Sequence, residues 1–506
     1  MTPSRPSKTP LLALALDKRG DEPAYRQIYD QIRLAILAGR LRPGTRLPSS
    51  RGLAAELAVS RNTVLTAFDM LGQEGYTQGG VGSGTRVSAV LPDELLSARG
   101  AKPETRPERE AAGPALRISG LAARLDSMRQ RTRSDQRTFR PGLPEVEQFP
   151  WNVWGRLAGR LWRHPPRAGV GGGALAGHQG LRDAIAAYVA AVRGVNCSGG
   201  QVMITSGAQQ GLDLIARLLL EPGDQVWMED PGYAGMRGAF AATGAEIVAL
   251  PVDAEGLDVA AGRSRAPDAR LCAVTPSHQY PTGATMSLGR RLELLDWARG
   301  AGSWILEDDY DSEYRYAGKP LAALQGLDDG GRVIYVGTFS KVLFPGLRLG
   351  YAILPEALVA PFLAMRSVLD DAPALGLQPV LAEFIAEGHF AAHVRRTRAL
   401  YAERQVYFLA ALRRHCAGML CAEPDEAGMH LVVGLDPSLN LSDRAAAARA
   451  DAAGISAPAL SSYYAGGNAK SGALRQGLVL GYTGFSERET NDGLARLATA
   501  LASRPG

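Results

Sequence analysis

Between Ala24 and Ala38 the apolar residues Ile28, Ile32, Ala35 and Ile36 recur at helical spacing, and Gly39 supplies a stop. The turn Arg42-Pro43-Gly44-Thr45 separates this helix from a second, carrying Leu53, Ala54 and Leu57, which Ser49 or Ser50 can cap. Val59-Ser60 then turns into a third helix, Arg61 to Glu74, with Ser60 as N-cap and Val64, Ala67, Phe68 and Leu71 on its buried side. Its polar start, Arg61, Asn62, Thr63 and Thr66, is what a recognition helix offers to base edges in a major groove. The stretch Tyr76 to Val87, with Gly79, Gly80, Gly82 and Gly84, fits a β-hairpin whose glycines let the backbone approach phosphates. Residues 1–88 therefore read as a winged helix-turn-helix.

Residues 89–138 lose the apolar period and are rich in Arg, Ala, Pro and Glu, so they read as an exposed tether. From Phe139 to the end, helical runs alternate with short apolar runs, the signature of a sheet covered by helices. One pair is a strand at Gln201–Thr205 and a helix through Leu212, Ile215 and Leu219, joined by Ser206-Gly207-Ala208-Gln209. Such a loop presents free N–H groups and the positive end of a helix dipole to an anion.

Trp304-Ile305-Leu306 reads as a buried strand running into Glu307-Asp308-Asp309-Tyr310, at the end where parallel sheets place ligands. Asp308 and Tyr310 fall on one face if the strand continues. A carboxylate there can keep a pyridine nitrogen protonated and a phenol can bond the ring's 3-oxygen; Glu307 is the rival for the nitrogen. About thirty residues on, Lys341 follows a strand at Arg332–Gly337 and can form a Schiff base, with Thr338, Ser340 and Arg348 to hold a phosphate. Together these segments read as a site for pyridoxal 5'-phosphate.

Composition adds bounds. A chain of 506 residues exceeds one core, and 46% hydrophobic with 21% charged residues is ordinary for a soluble globular protein. The net charge of +5 is unevenly spread: residues 1–88 hold 12 Lys and Arg against 7 Asp and Glu, placing basic charge where a polyanion would be met. The four cysteines, Cys197, Cys272, Cys416 and Cys421, have no Cys-x-x-Cys spacing, and no metal site is expected. No run approaches the ~20 apolar residues of a membrane span and no secretory signal is evident, so a cytoplasmic protein is expected.

The order Pro48-Ser49-Ser50-Arg51, Leu53-Ala54, Leu57, Val59-Ser60-Arg61-Asn62-Thr63-Val64 and Gly82-Ser83-Gly84-Thr85 resembles the GntR family of bacterial regulators. The resemblance implies that Arg51, Arg61, Thr63 and Gly82 contact DNA, with Ser50, Ser60, Asn62 and Ser83 in the same surface. The order Ser206-Gly207-Ala208-Gln209, Glu229-Asp230-Pro231-Gly232-Tyr233, Pro281-Thr282-Gly283, Glu307-Asp308-Asp309-Tyr310 and Thr338-Phe339-Ser340-Lys341 is similar to fold-type I aminotransferases. Head and body in one chain resemble the MocR subfamily of GntR regulators, and Pro276-Ser277-His278-Gln279-Tyr280-Pro281 matches its pattern. By that resemblance Tyr233 stacks on the cofactor ring, Lys341 is its Schiff-base lysine, and a smaller C-terminal α/β subdomain completes the body. Two departures stand out. Tyr280 occupies the place of the usual Asn before Pro-Thr-Gly. The carboxylate-clamping Arg has only Arg475 as a candidate, ahead of Leu478-Val479-Leu480.

The expectation is a dimeric transcriptional regulator that binds an operator and senses pyridoxal phosphate, or an amine or amino acid condensing with it. The alternative is a working aminotransferase with a DNA-binding extension, which repeated turnover would mark.

Overall fold

The computed structural model describes residues 14–17, 22–80, 84–89, 119–127, 137–165, 173–318, 322–465 and 475–503. It divides into two units, Met1–Leu116 and Arg117–Gly506.

In the first unit, helices α1 (Ala24–Leu37), α2 (Ser50–Leu57) and α3 (Arg61–Gln73) precede a hairpin of β1 (Thr77–Gly80) and β2 (Gly84–Val87). Ile28, Ile32, Leu53, Val64, Ala67 and Leu71 are fully buried, so the helical period foretold the core. Ser49 caps α2 by accepting the Gly52 N–H, and Ser60 caps α3 by accepting the Thr63 N–H, each at 3.1 Å. Ser50 is thereby the first helical residue rather than the cap.

The expected tether contains order near its end. Gly120–Ser127 is a helix, α4, with Leu121 and Leu125 one turn apart on a part-buried side. Leu125 faces Gly238 of a body helix, so this piece of the expected tether belongs to the second unit. Two leucines among arginines were too short a period to read.

The second unit is built on an eight-stranded sheet of order β3-β10-β9-β8-β7-β4-β5-β6. Its strands are β3 (Val202–Thr205), β4 (Gln225–Asp230), β5 (Glu246–Asp253), β6 (Gly256–Leu257), β7 (Leu271–Val274), β8 (Trp304–Asp309), β9 (Val333–Thr338) and β10 (Gly350–Ile353). The central pairs β5-β4-β7-β8-β9 are parallel, while β10 runs antiparallel to both β3 and β9. β3, β7 and β10 are buried at every residue, as expected for strands covered on both faces. Because β3, β4, β7, β8 and β9 point the same way, their carboxyl ends open at one edge. A smaller antiparallel sheet follows, β11 (Leu420–Cys421), β12 (His430–Leu435) and β13 (Leu478–Gly481), packed with the 27-residue helix His389–His415 and the C-terminal helix Glu487–Ala502. No helix among the described residues is long and apolar enough to cross a membrane.

Candidate functional site

At the open edge of the large sheet the acidic run separates into different environments. Glu307 accepts the backbone N–H groups of Leu324 and Gln325, both at 2.9 Å, and is spent there. Asp309 pairs with the buried Arg193 at 2.9 Å and accepts the Tyr335 hydroxyl at 2.6 Å. Asp308 is also buried, but its Oδ1 has no hydrogen-bond partner. Burial, then the neighbouring Asp309 and Glu229, push its pKa up to about 7. A buried carboxyl oxygen left without a partner is uncommon in folded chains, and here it leaves an acceptor at the sheet edge that a donor group of a ligand could meet. Glu307 thus drops out as the rival. β8 stops at Asp309, so Tyr310 lies just beyond the strand in a bend, its hydroxyl 3.0 Å from His278 Nδ1.

A second cluster forms where β3, β9 and β10 meet. Gly350 on β10 faces Thr205 on one side and Thr338 on the other. Gly207 caps the twelve-residue helix Ala208–Leu219 with φ 93° and ψ 166°, a conformation essentially confined to glycine. The Arg348 guanidinium donates to the Ser206 carbonyl at 2.8 Å and would lie 3.4 Å from a Cβ on Gly207. Thr338 Oγ1 accepts the Ser340 N–H at 3.2 Å, and the Ser340 hydroxyl is buried without a partner. Ser206, Gly207, Ala208, Thr338, Ser340 and Arg348 are thereby gathered at a helix N-terminus, a setting that favours a phosphate. Gln209 turns instead to the wall, accepting the Tyr233 hydroxyl at 3.2 Å and donating to the Gly235 carbonyl at 2.8 Å.

Lys341 follows β9, and its ammonium donates to the Gly142 carbonyl at 2.9 Å. A Cβ at Gly142, where φ is +68°, would fall 2.7 Å from Nζ and displace the amine. Tyr280 stands among aromatic rings: Tyr233 at 6.0 Å, Tyr310 at 5.7 Å, Tyr463 at 5.4 Å and His430 at 5.2 Å between centroids. Its hydroxyl is 3.1 Å from that of Tyr463, and the buried Val479 of β13 packs in the same cluster. The expected clamp, Arg475, stands apart: it is exposed, ahead of β13, with Tyr464 as its neighbour. Leu478, Val479 and Leu480 of β13 are fully buried.

Sequence reasoning missed Arg193, Tyr463, Gly142 and the role of His278. The segment holding His278 was visible as a motif, but nothing in the order of residues indicated its partners Asp311 and Asp425, 33 and 147 positions away.

On the head, Arg51, Ser60, Arg61 and Asn62 are exposed, and Ser50 and Thr63 are half-exposed. Arg61 Nε donates to Ser50 Oγ at 3.3 Å, and Ser60 Oγ lies 2.8 Å from Thr63 Oγ1. The starts of α2 and α3 therefore form one polar surface. Arg40, Arg42, Arg46 and Arg86 are exposed on the same unit. Gly82 and Ser83 lie outside the described residues.

Comparison with known proteins agrees with both halves. Residues 24–87 match the bacterial regulatory proteins, gntR family, and residues 171–475 match aminotransferase class I and II. The chain is 42% identical to the probable rhizopine catabolism regulatory protein MocR of Rhizobium meliloti, over 96% of each. It is 31% identical to the pyridoxine biosynthesis transcriptional regulator PdxR of Corynebacterium glutamicum, over 97% of this chain and 99% of that one. Among solved structures, the α-aminoadipate aminotransferase LysN of Thermus thermophilus, complexed with N-(5'-phosphopyridoxyl)-L-leucine, matches at TM-score 0.65 and 28% identity, covering 76% of this chain and 94% of that one.

Proposed function

The chain belongs to the MocR subfamily of gntR-type transcriptional regulators, with an aminotransferase-like body that takes pyridoxal phosphate, and we propose that Lys341 is where that body senses the cofactor, alone or with an amine or amino acid. The observation that carries this reading is the coexistence of a buried, unpartnered Asp308 oxygen, a buried, unpartnered Ser340 hydroxyl and the Lys341 amine at one sheet edge.

These residues fit the cofactor group by group. Asp308 would hold a proton on the ring nitrogen, since a carboxylate that gains a cation regains the charge that burial discouraged. Tyr310 would bond the 3-oxygen, and Tyr233 would supply an aromatic face for the ring. Arg348, Ser340, Thr338 and the N–H groups after Gly207 bind the phosphate. When bound, pyridoxal phosphate supplies an aldehyde for an amine and an electron-accepting ring. The ring cluster of Tyr233, Tyr280 and Tyr463 excludes water from the face where an effector would enter. Arg475 is not proposed as its clamp, because it is exposed outside the aromatic cluster.

The head then binds duplex DNA through Arg51, Arg61, Asn62, Thr63 and the neighbouring Ser50 and Ser60, with the wing residues Gly82 and Ser83 against the backbone. In a cytoplasmic homodimer two such heads read paired half-sites, and the effector biases their spacing through a difference in affinity for two arrangements of the body. Relatives named for rhizopine catabolism and for pyridoxine biosynthesis support control of small-molecule metabolism. Two measurements test the reading. The cofactor-loaded protein absorbs near 420 nm, roughly where a protonated cofactor–lysine link absorbs, and borohydride fixes the cofactor on Lys341. DNA flanking the gene is retained saturably and sequence-selectively; failure of both results would overturn the assignment.

A further inference from the structure

We propose that His278 is a positioning residue for the cofactor site: as an imidazolium held between Asp311 and Asp425, it donates to the Tyr310 hydroxyl and directs that phenol's own proton toward the cofactor's 3-oxygen. The inference rests on the pyridoxal phosphate reading above and adds a residue to it.

His278 is only 2% exposed. Its Nδ1 lies 3.0 Å from Asp311 Oδ2 and 3.0 Å from the Tyr310 hydroxyl. Its Nε2 lies 3.5 Å from Asp425 Oδ2, an ion-pair distance rather than a hydrogen bond. A neutral imidazole carries one N–H and would turn a lone pair toward one of the two carboxylates; the imidazolium offers N–H to both. Burial opposes the charge, but Asp311 and Asp425 outweigh it and push the pKa up to about 10. His430, whose ring centroid is 5.3 Å away, goes the other way: burial and the His278 charge push it down to about 3. His430 Nε2 donates to the Pro281 carbonyl at 3.0 Å. The groups facing His278 are therefore two carboxylates, one phenol and one neutral ring. The ligand atoms of His278, Asp311 and His430 lie within 4.8 Å of one another, and the ion pair accounts for that spacing without a metal.

The consequence falls on Tyr310. The single Nδ1–H is shared between Asp311 Oδ2 and the Tyr310 oxygen, each at 3.0 Å, so the phenol cannot donate back to the ring and its proton turns either to Asp311 or to the cofactor's 3-oxygen. Burial, then Asp311, Tyr280 and Asp308, hold the phenol's pKa well above its ordinary value, and a positive charge 3.0 Å behind the oxygen opposes that rise. Asp311 follows β8, whereas Asp425 sits on the loop entering β12, so the same ring joins the large sheet to the small one.

The test follows the visible absorbance of the cofactor-loaded protein against pH. His278→Gln removes the cation and the Nδ1 donor, and the absorbance midpoint should rise by about 1 pH unit, the usual scale for losing a like charge at this range. His278→Asn, which keeps a neutral N–H near the Nδ1 position, should recover part of the shift. In a Tyr310→Phe background, His278→Gln should move the midpoint by less than roughly 0.3 pH unit, because the relay is already cut. An equal shift in both backgrounds, or no shift in either, would overturn the proposal. A wild-type protein with no cofactor band would instead defeat the cofactor reading beneath it. As a measurement on the intact protein, nitrogen-15 resonances of labelled histidine at pH 8 should include one doubly protonated imidazole. Finding every histidine neutral there would also overturn the proposal.

Discussion

Replacing Asp308 by Asn should have opposite effects with and without cofactor. In the cofactor-free chain the buried carboxyl titrates at about 7, far above the ordinary carboxylate range. Such a group binds its proton more tightly folded than unfolded, so stability falls as pH climbs from about 4 to about 7 and stays reduced above that. A displacement of this size corresponds to about 4 kcal/mol of burial cost carried by the wild type at pH 8. Asn carries no charge, so the cofactor-free variant should be more stable than the wild type at pH 8, with the gap shrinking toward pH 5. Glu229, which is also pushed up to about 7, is one of the acids that raise Asp308, so removing the Asp308 charge also relieves Glu229 and adds to the gap at pH 8. With cofactor the order reverses. Losing the carboxylate opposite a buried ring cation costs about 3–5 kcal/mol, a loss of roughly a hundredfold or more in cofactor affinity. The assay is thermal unfolding of both proteins at pH 5 and pH 8, with and without cofactor, alongside a cofactor titration read by absorbance. The reasoning fails if Asp308→Asn binds cofactor as tightly as wild type, or if its cofactor-free stability gap does not widen between pH 5 and pH 8.

Other consequences can be checked separately. Gly207→Ala forces a side chain into a glycine-only conformation beside Arg348, and should cost about 1–3 kcal/mol in stability while weakening the cofactor through its phosphate, both measurable by melting and by titration. Arg193→Ala strands the buried Asp309, and should cost about 3–5 kcal/mol in urea unfolding, with wild-type stability counting against the ion pair. Arg61→Ala should weaken specific DNA binding by about 1–3 kcal/mol in a fluorescence titration, while leaving cofactor absorbance unchanged.

Much of this molecule was legible in the sequence because its elements carry strong local signals. The head's three helices have clean apolar periods and serine caps, and the period correctly listed Val64, Ala67, Phe68 and Leu71 as buried. The large sheet announced itself through short apolar runs ending in polar residues, which put Asp308, Thr338 and Lys341 at strand ends. What stayed hidden depends on distance in the chain. Which of three adjacent acids lacks a partner was decided by Leu324, Gln325 and Arg193, none of them adjacent to the acids in sequence. The aromatic cluster around Tyr280 required Tyr463, 183 residues away, and a strand of the smaller sheet. Arg475 reads as a clamp in the sequence because it precedes that strand, and the chain order could not indicate its exposure or its neighbour Tyr464. The helix Gly120–Ser127 was lost in an arginine-rich stretch, since two leucines supply too little pattern to outweigh the composition around them.

The central claim, that the body's occupancy at Lys341 governs the head, is tested most directly by measuring affinity for the gene-flanking DNA with and without pyridoxal phosphate, in wild type and in Lys341→Ala. The account predicts that cofactor changes the affinity or footprint spacing of the wild type and leaves the variant unmoved. Identical responses in the two proteins, or none in the wild type, would contradict it.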